Sequence, residues 1–393
     1  MQRSDFTESA PGELVDITSR FGTPALSFVP ATLPPHFDLD VEISKAAERA
    51  ALAIGNLNGS GSMLPNPTLL FQPFLRREAL ASSRIEGTRA EFGQLVLFEA
   101  DEHATPDADI QEVQNYLLAL HTGWHKPVER PFTPGFIAEL HQQLLQGVRG
   151  SSMNPGRIRM VQVHIGDEGG DLSTARFVPP PPELVRELLE NLCDYIEHAD
   201  DLPFVVRLAV IHYQFETIHP FMDGNGRLGR LIMPLLLGMW GYLDMPLLYL
   251  SEYFEDNREK YMDHLLAVSQ RGEWKDWILF TLRGIEQQSR DAMIRGRYLL
   301  NLREQLRSRY IQARNASTIL QIIDGLFEHP ATSRKRAAEL AGVSPQAVSK
   351  SLERLVDDGV LEEVTGNVRY RIYAAPEIIA AMSARTPSDA HDR

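Results

Sequence analysis

The twelve residues from His219 to Arg230, HPFMDGNGRLGR, constrain the fold more than any other stretch of the chain. Gly224, Gly226 and Gly229 spell G-x-G-x-x-G, and Asp244 follows at the distance where a dinucleotide fold carries its ribose-binding acid. That fold needs a buried strand running straight into the first glycine. Here the preceding segment, LAVIHYQFETIHPF, spaces Leu208, Ile211, Phe215 and Ile218 three or four apart, as a helix does. Pro220 interrupts the backbone before the loop, Asp223 puts a charge at its entry, and two arginines are foreign to a turn that works by backbone approach. A hairpin turn at Asn225-Gly226 fails too, because its neighbours do not alternate. Beyond the loop, Leu228, Leu231, Ile232, Leu235 and Leu236 share one helical face. The expected setting is helix, glycine loop, helix.

Such a loop suits an anion. Glycines let backbone N–H groups converge, and the loop empties into a helix N-terminus with unpaired donors and partial positive charge. Arg227 and Arg230 lie one helical turn apart, so both guanidiniums can point at the same anion. Asp223 supplies a hard oxygen of the kind Mg2+ takes beside phosphate oxygens and water. His219 is the obvious proton acceptor. Singly, each has a plainer reading: histidine before proline is usually structural, and Asp-Gly is usually a turn. Their conjunction points to phosphate chemistry. Pro234, about two turns into the second helix, removes a hydrogen bond and is expected to kink it.

With 393 residues, 43% hydrophobic content and 25 prolines, the chain has the make-up of two or three globular domains. A net charge of −14 argues against broad nucleic-acid binding, while leaving room for a local basic patch. The single cysteine, Cys193, excludes an internal disulfide, which suits a reducing cytoplasm. It shares a helical face with Leu189, Leu192 and Ile196 and reads as a core residue. The start, MQRSDFTESAPGELVD, lacks the apolar core of a signal peptide. The most apolar segment, LIMPLLLGMWGYLDMPLLYL, is broken by Pro234, Gly238, Gly241, Asp244 and Pro246 before it could span a bilayer. A soluble cytoplasmic protein without membrane contact is expected.

The fold is expected to be mainly α. Helical patterns run through ISKAAERAALAIGNL, LLFQPFLRREALASSRIEG, QEVQNYLLALHTGW, TPGFIAELHQQLLQGV and PPELVRELLENLCDYIEHA. The exception is GRIRMVQVHIGDEGGDLSTARFVPPPP, whose partial alternation before a Gly/Asp-rich turn suggests a β-hairpin flap. The expected division is an N-terminal helical region over 1–120, a core over 121–283, a linker helix over 284–314, a small domain over 315–375 and a flexible tail over 376–393.

These residues closely resemble the motif of the Fic (filamentation induced by cAMP) family, H-P-F-x-[D/E]-G-N-G/K-R-x-x-R. His219, Pro220, Phe221, Asp223, Gly224, Asn225, Gly226, Arg227 and Arg230 match every specified position. The likeness extends to the flap around Val161, Val163, His164, Ile165 and Gly166. It also takes in SSRIEGTRA, where Ser82, Glu86 and Gly87 fit the family's inhibitory helix, [S/T]-x-x-x-E-[G/N], at about residues 78–90. The layout of N-terminal region, Fic-type helical core with flap, and C-terminal winged helix resembles a bacterial subgroup.

The resemblance implies a protein adenylyltransferase: a Tyr, Thr or Ser hydroxyl of a target protein attacks the α-phosphate of ATP. His219 would take the proton and Asp223 would hold Mg2+. Gly224, Asn225 and Gly226, followed by Leu228 and Gly229, would form the phosphate loop. Arg227 would pair with the β-phosphate and Arg230 with the γ-phosphate. Glu86 would pair with Arg230, where the γ-phosphate belongs, and so inhibit the enzyme; a solvated helix glutamate is the plainer reading. Glu86 could equally position a water for removal of AMP. The flap would dock a target segment along Val161–Ile165, or simply cover the nucleotide. Tyr261 reads as an adenine contact or as an ordinary helix-core aromatic.

SRKRAAELAGVSPQAVSKSLERLVDDGVLEEVTGNVRYRIY reads as a winged helix-turn-helix. Gly342 makes the turn, Ser344 caps a helix that starts at Pro345, and a wing turns at Gly366-Asn367. Gln346, Ser349 and Lys350 would face a DNA major groove. From Arg314 to Tyr373, however, eight basic residues meet eight acidic ones, and phosphate binding wants an excess. DNA binding, protein docking and homodimerisation therefore all stay open, and a nucleotide-sensing transcriptional regulator is the alternative to an enzyme.

Overall fold

Helix follows helix along most of the chain. The computed structural model describes residues 1–18, 24–62, 68–125, 131–166, 172, 174–198, 201–366 and 370–384. Helices α1 (Val41–Ser62), α2 (Thr68–Ile85), α3 (Phe92–Ala100) and α4 (Ala108–Trp124) make the N-terminal region. Helices α5 (Pro134–Leu144), α6 (Pro182–Glu197), α7 (Phe204–Ile218) and α8 (Asn225–Met239) surround the glycine loop. Helices α9 (Ser251–Asp256), α10 (Arg258–Arg271) and α11 (Trp274–Tyr310) follow. No described helix is long and apolar enough to cross a membrane.

The loop sits between two helices buried on all sides. Thirteen of the 15 residues of α7 are buried, which places it at the centre of the core. It stops because His219 takes a left-handed backbone (φ 50°, ψ 62°) and Pro220 cannot continue it. Gly224, at φ 75°, then opens α8, a conformation that suits glycine. Pro234 lies inside α8, which nonetheless runs on to Met239.

The structure corrects the expected division in three places. The region before residue 120 is not wholly helical: β1 (Gly12–Thr18) and β2 (Pro24–Pro30) pair antiparallel, with Leu14 opposite Phe28 and Asp16 opposite Leu26. Their support is remote in sequence. Phe28 N–H donates to the Val178 carbonyl at 3.0 Å, and Ser27 Oγ donates to that of Pro179 at 2.6 Å. The hairpin thereby braces the segment returning from the flap. The boundary at 284 falls inside α11, where a Cβ on Gly284 would meet the Tyr253 ring at 2.6 Å. The tail from 376 is not flexible at its start: α15 (Pro376–Ser383) buries Ile378, Ala381 and Met382. Residues 385–393 lie outside the described ones.

The flap itself is a single antiparallel bridge. Ile165 and Phe177 exchange both backbone hydrogen bonds, at 2.8 and 3.0 Å, and residues 161–164 are not strand. Residues 167–171 and 173, in the expected turn, lie outside the described residues. Past α11 come α12 (Ala316–Glu328), β3 (Ala331–Ser333), α13 (Arg334–Leu340), α14 (Pro345–Asp357), β4 (Glu362–Glu363) and β5 (Ile372–Ala374). The strands form one antiparallel sheet in the order β3-β5-β4. Ser344 caps α14, accepting from Ala347 N–H at 3.2 Å, with Pro345 in the first turn. Asn367, expected in the wing turn, lies outside the described residues.

Candidate active site

His219 ends α7 beside the loop. Burial pulls its imidazole down to about 4, so the ring is neutral at pH 7. Nδ1 lies 3.2 Å from the Glu216 carbonyl oxygen, which assigns the proton to Nδ1 and leaves Nε2 free to accept one. The left-handed turn at His219 is fastened by Arg159, a residue sequence reasoning missed. Buried, it donates to main-chain carbonyls alone: Nε to His219 at 2.8 Å, Nη1 to Val161 at 3.2 Å, and Nη2 to Pro180 at 2.5 Å and Ile218 at 3.3 Å. Flap base, proline run and the His219 turn meet at this one guanidinium.

The loop has a second fastening, also missed. His141 of α5 accepts at Nδ1 from Gly156 N–H and donates from Nε2 to the Asp223 carbonyl, both at 2.8 Å, while its ring stacks on Phe221. Asn225 closes the loop on itself: its side chain accepts from Phe221 N–H and donates to the Phe221 carbonyl, both at 2.9 Å. The Asn225 amide therefore shapes the glycine loop from within.

Arg227 and Arg230 part company, which corrects the expectation that they converge on one anion. Arg230, 2% exposed, turns to α2: Nε donates to Ser82 Oγ at 3.0 Å, and Nη2 donates to the Ser82 carbonyl at 2.8 Å and to Glu86 Oε1 at 2.7 Å. Burial raises the Glu86 carboxyl, but Arg230, followed by Arg227 and His219, outweighs burial and holds it below its usual range. Gly226 makes room for this contact, since a Cβ there would collide with the Glu86 carboxylate. Gly87 follows at φ 95°. Arg227 instead faces Glu112 of α4, 3.3 Å from Nη1 to Oε2, and Thr88 Oγ1 donates to the same carboxylate at 2.7 Å. Leu228 is fully buried in the core, and Gly229 backs onto Glu216 and Phe215, so neither reaches the cavity expected of them.

That cavity, about 300 Å³, has a polar end formed by Glu86, His219, Gly226 and Arg230. Ile165, Phe177, Met262 and Leu265 add apolar lining, beside the charged Arg176 and Arg258. Such a shape accommodates a flat apolar group joined to an anion. Tyr261 lines it while 1% exposed, with its hydroxyl 2.8 Å from His212 Nε2, so it is a core aromatic with one side on the cavity. Gly166 lines the cavity as well, whereas Val161 is exposed and Val163 and His164 are half-buried outside it. Glu216, also at the wall, is pushed up by burial to about 7.

Asp223 lies at the loop entry, 38% exposed, with Oδ1 accepting from Gly224 N–H at 2.6 Å. Among the described residues no three His, Cys, Asp or Glu side chains cluster as metal ligands. A cation here would rest on one half-exposed carboxylate together with phosphate and water oxygens, and that donor set suits Mg2+.

The residues expected to contact DNA lie elsewhere. Gln346 and Lys350 are exposed on α14, and Ser349 lines a second cavity, about 610 Å³, between α14 and the segment 100–103. Two basic groups near this face are already engaged: Lys335 Nζ is 2.9 Å from Glu102 Oε2, and Arg336 Nη1 donates to the Glu99 carbonyl at 3.4 Å.

Known proteins resemble the chain over the helices that carry this site. Residues 44–125 match the family described as Fic/DOC family N-terminal, and residues 131–237 match the Fic/DOC family. The chain is 33% identical over 122 residues to protein adenylyltransferase fic-1 of Caenorhabditis elegans, covering 30% of this chain and 22% of that one. It is 35% identical over 96 residues to a probable protein adenylyltransferase of Aquifex aeolicus, covering 24% and 28%. The match therefore spans only about a quarter of each relative's own length. In fold, the chain is similar to a Fic family protein from Desulfovibrio desulfuricans G20, with a TM-score of 0.56 and 21% identity over 87% of this chain and 98% of that one.

Proposed function

We propose that this chain, which belongs to the Fic/DOC family, is an autoinhibited protein adenylyltransferase that moves AMP from ATP to a Tyr, Thr or Ser hydroxyl of a target protein. The observation that carries the reading is the Arg230–Glu86 pair at the polar end of the cavity that His219 also lines.

His219 Nε2 accepts the hydroxyl proton as the target oxygen bonds to the α-phosphorus, and the bond from that phosphorus to the pyrophosphate oxygen breaks. A positioned general base contributes about 10²–10⁴-fold. The backbone N–H groups at the start of α8 hold phosphate oxygens, aided by the helix terminus. Mg2+ held by Asp223 would offset charge growing on the leaving pyrophosphate. The nucleoside would lie against the apolar lining residues, Phe177 and Leu265 among them. No covalent nucleophile is required, because this transfer depends mainly on positioning and electrostatics.

Glu86 blocks the reaction by competition. A carboxylate and a γ-phosphate seek the same guanidinium fork, so ATP binds out of line while Glu86 holds Arg230. The same carboxylate lines the cavity with His219, and a water oriented by it would give removal of AMP as the second direction.

Labelled ATP tests the reading on full-length chains. Glu86→Gly should incorporate one adenylyl group per site into itself or a lysate protein, and Glu86→Gly/His219→Ala should incorporate none. Equal labelling of both would remove His219 from the reaction. Label lost from pre-modified protein, with none gained, would reverse its direction.

A further inference from the structure

We infer that the C-terminal domain anchors the inhibitory helix: by gripping α2 it keeps Glu86 on Arg230, so release of that domain switches AMP transfer on. The inference rests on the inhibitory role proposed for Glu86 and names what controls it.

Two consecutive arginines of α2 make the grip. Arg76 Nη1 donates to the Glu328 carbonyl, the last of α12, at 2.8 Å, and its Nη2 lies 3.1 Å from His329 Nδ1. Arg77 Nη1 donates to the carbonyls of Met382 and Ala384, at the end of α15, both at 2.9 Å. The last carbonyls of a helix lack partners within it and carry partial negative charge. Here the ends of two C-terminal helices are both received by the helix that leads to Glu86. Each arginine is neutralised on its other side, Arg76 by Glu99 at 2.9 Å and Arg77 by Glu252 at 2.6 Å.

Both guanidiniums are buried, at 1% and 6% exposure. Undocking α12 or α15 would leave them facing emptied sites, so α2 and the C-terminal domain are held to move together. Arg76 and Glu86 are separated by about 15 Å of largely helical chain, which transmits displacement. Shifting Glu86 by about an ångström is enough to lose a hydrogen bond of this kind. The same domain is tied to the N-terminal region a second time through Lys335 and Glu102. A partner that occupied the face of α13 and α14 would have to break that tie.

The test compares self-modification by labelled ATP in four full-length chains: unaltered, Arg76→Met, Glu86→Gly and the double variant. Arg76→Met should raise transfer about tenfold in the chain carrying Glu86, a typical size for coupling between sites, and should add nothing in the Glu86→Gly chain. Arg295→Met is the companion variant. Arg295 reaches the Ala384 carbonyl from α11, and its loss should also raise transfer. In both variants, amide hydrogens of residues 76–86 should exchange faster than in the unaltered chain.

A rise with Glu86→Gly but none with Arg76→Met or Arg295→Met would overturn the anchor alone. A rise with Arg76→Met that persists undiminished in the Glu86→Gly background would overturn it as well. No rise with Glu86→Gly would overturn the inhibitory role of Glu86, and this inference with it.

Discussion

The middle and the C-terminal end of α2 are held by opposite chemistry. At residues 76 and 77, arginines reach outward to carbonyl groups at the ends of α12 and α15. At residues 82 and 86, a hydroxyl and a carboxylate receive an arginine that a triphosphate also needs. The first contact is structural and stays satisfied whatever ligand is present. The second is a contest, and its outcome depends on what else enters the cavity. A helix fixed at its middle and contested at its end is suited to inhibition that a distant event can lift.

Breaking the contested end should have the largest effect. Glu86→Gly is expected to raise the rate of AMP transfer about 100-fold, the usual consequence of curing a misplacement of about 1 Å at a reacting centre. Self-labelling over time gives that ratio directly. Ser82→Ala should do less. It removes the acceptor for Arg230 Nε but leaves the Ser82 carbonyl and Glu86 in place, so about a fivefold rise is expected from one charged hydrogen bond partly compensated. A rise equal to that of Glu86→Gly would mean that the hydroxyl, not the carboxylate, sets the block.

The smallest expected change is with pH. The His219 pKa is lowered to about 4 by burial, so its neutral, proton-accepting form persists as pH falls and is lost only on approaching that value. Glu86 raises this pKa slightly, and its removal therefore lowers it further. With saturating nucleotide, transfer by the Glu86→Gly chain should stay level from about pH 8 to about pH 5.5, where an ordinary histidine near 6.5 would already be mostly protonated. A midpoint near 6.5 would show that the imidazole is solvated during turnover.

What could be read from sequence was local. The helix–loop–helix around HPFMDGNGRLGR follows from spacing alone, whereas Ser82 and Glu86 stood out only by resemblance to the inhibitory helix of the Fic family. Arg159, His141 and Glu112 escaped because their partners are main-chain carbonyls or side chains far along the chain, which leave no periodic trace. The same holds for β1 and β2, whose anchoring runs to Val178 and Pro179, and for α15, eight residues long and stable because α2 and α11 receive its end. One-turn spacing put Arg227 and Arg230 on a common side. It could not reveal that a buried carboxylate on α4 would claim the first and one at the end of α2 the second.

The account turns on Glu86 standing where the γ-phosphate of ATP belongs, and nucleotide binding tests that most directly. Dissociation constants for ATP and ADP, measured calorimetrically on the unaltered and Glu86→Gly chains, isolate the γ-phosphate. The unaltered chain should bind the two about equally, and Glu86→Gly should favour ATP by about tenfold, as a freed Arg230 gains a charge-assisted contact. The same ratio of ATP to ADP affinity in both chains would contradict it.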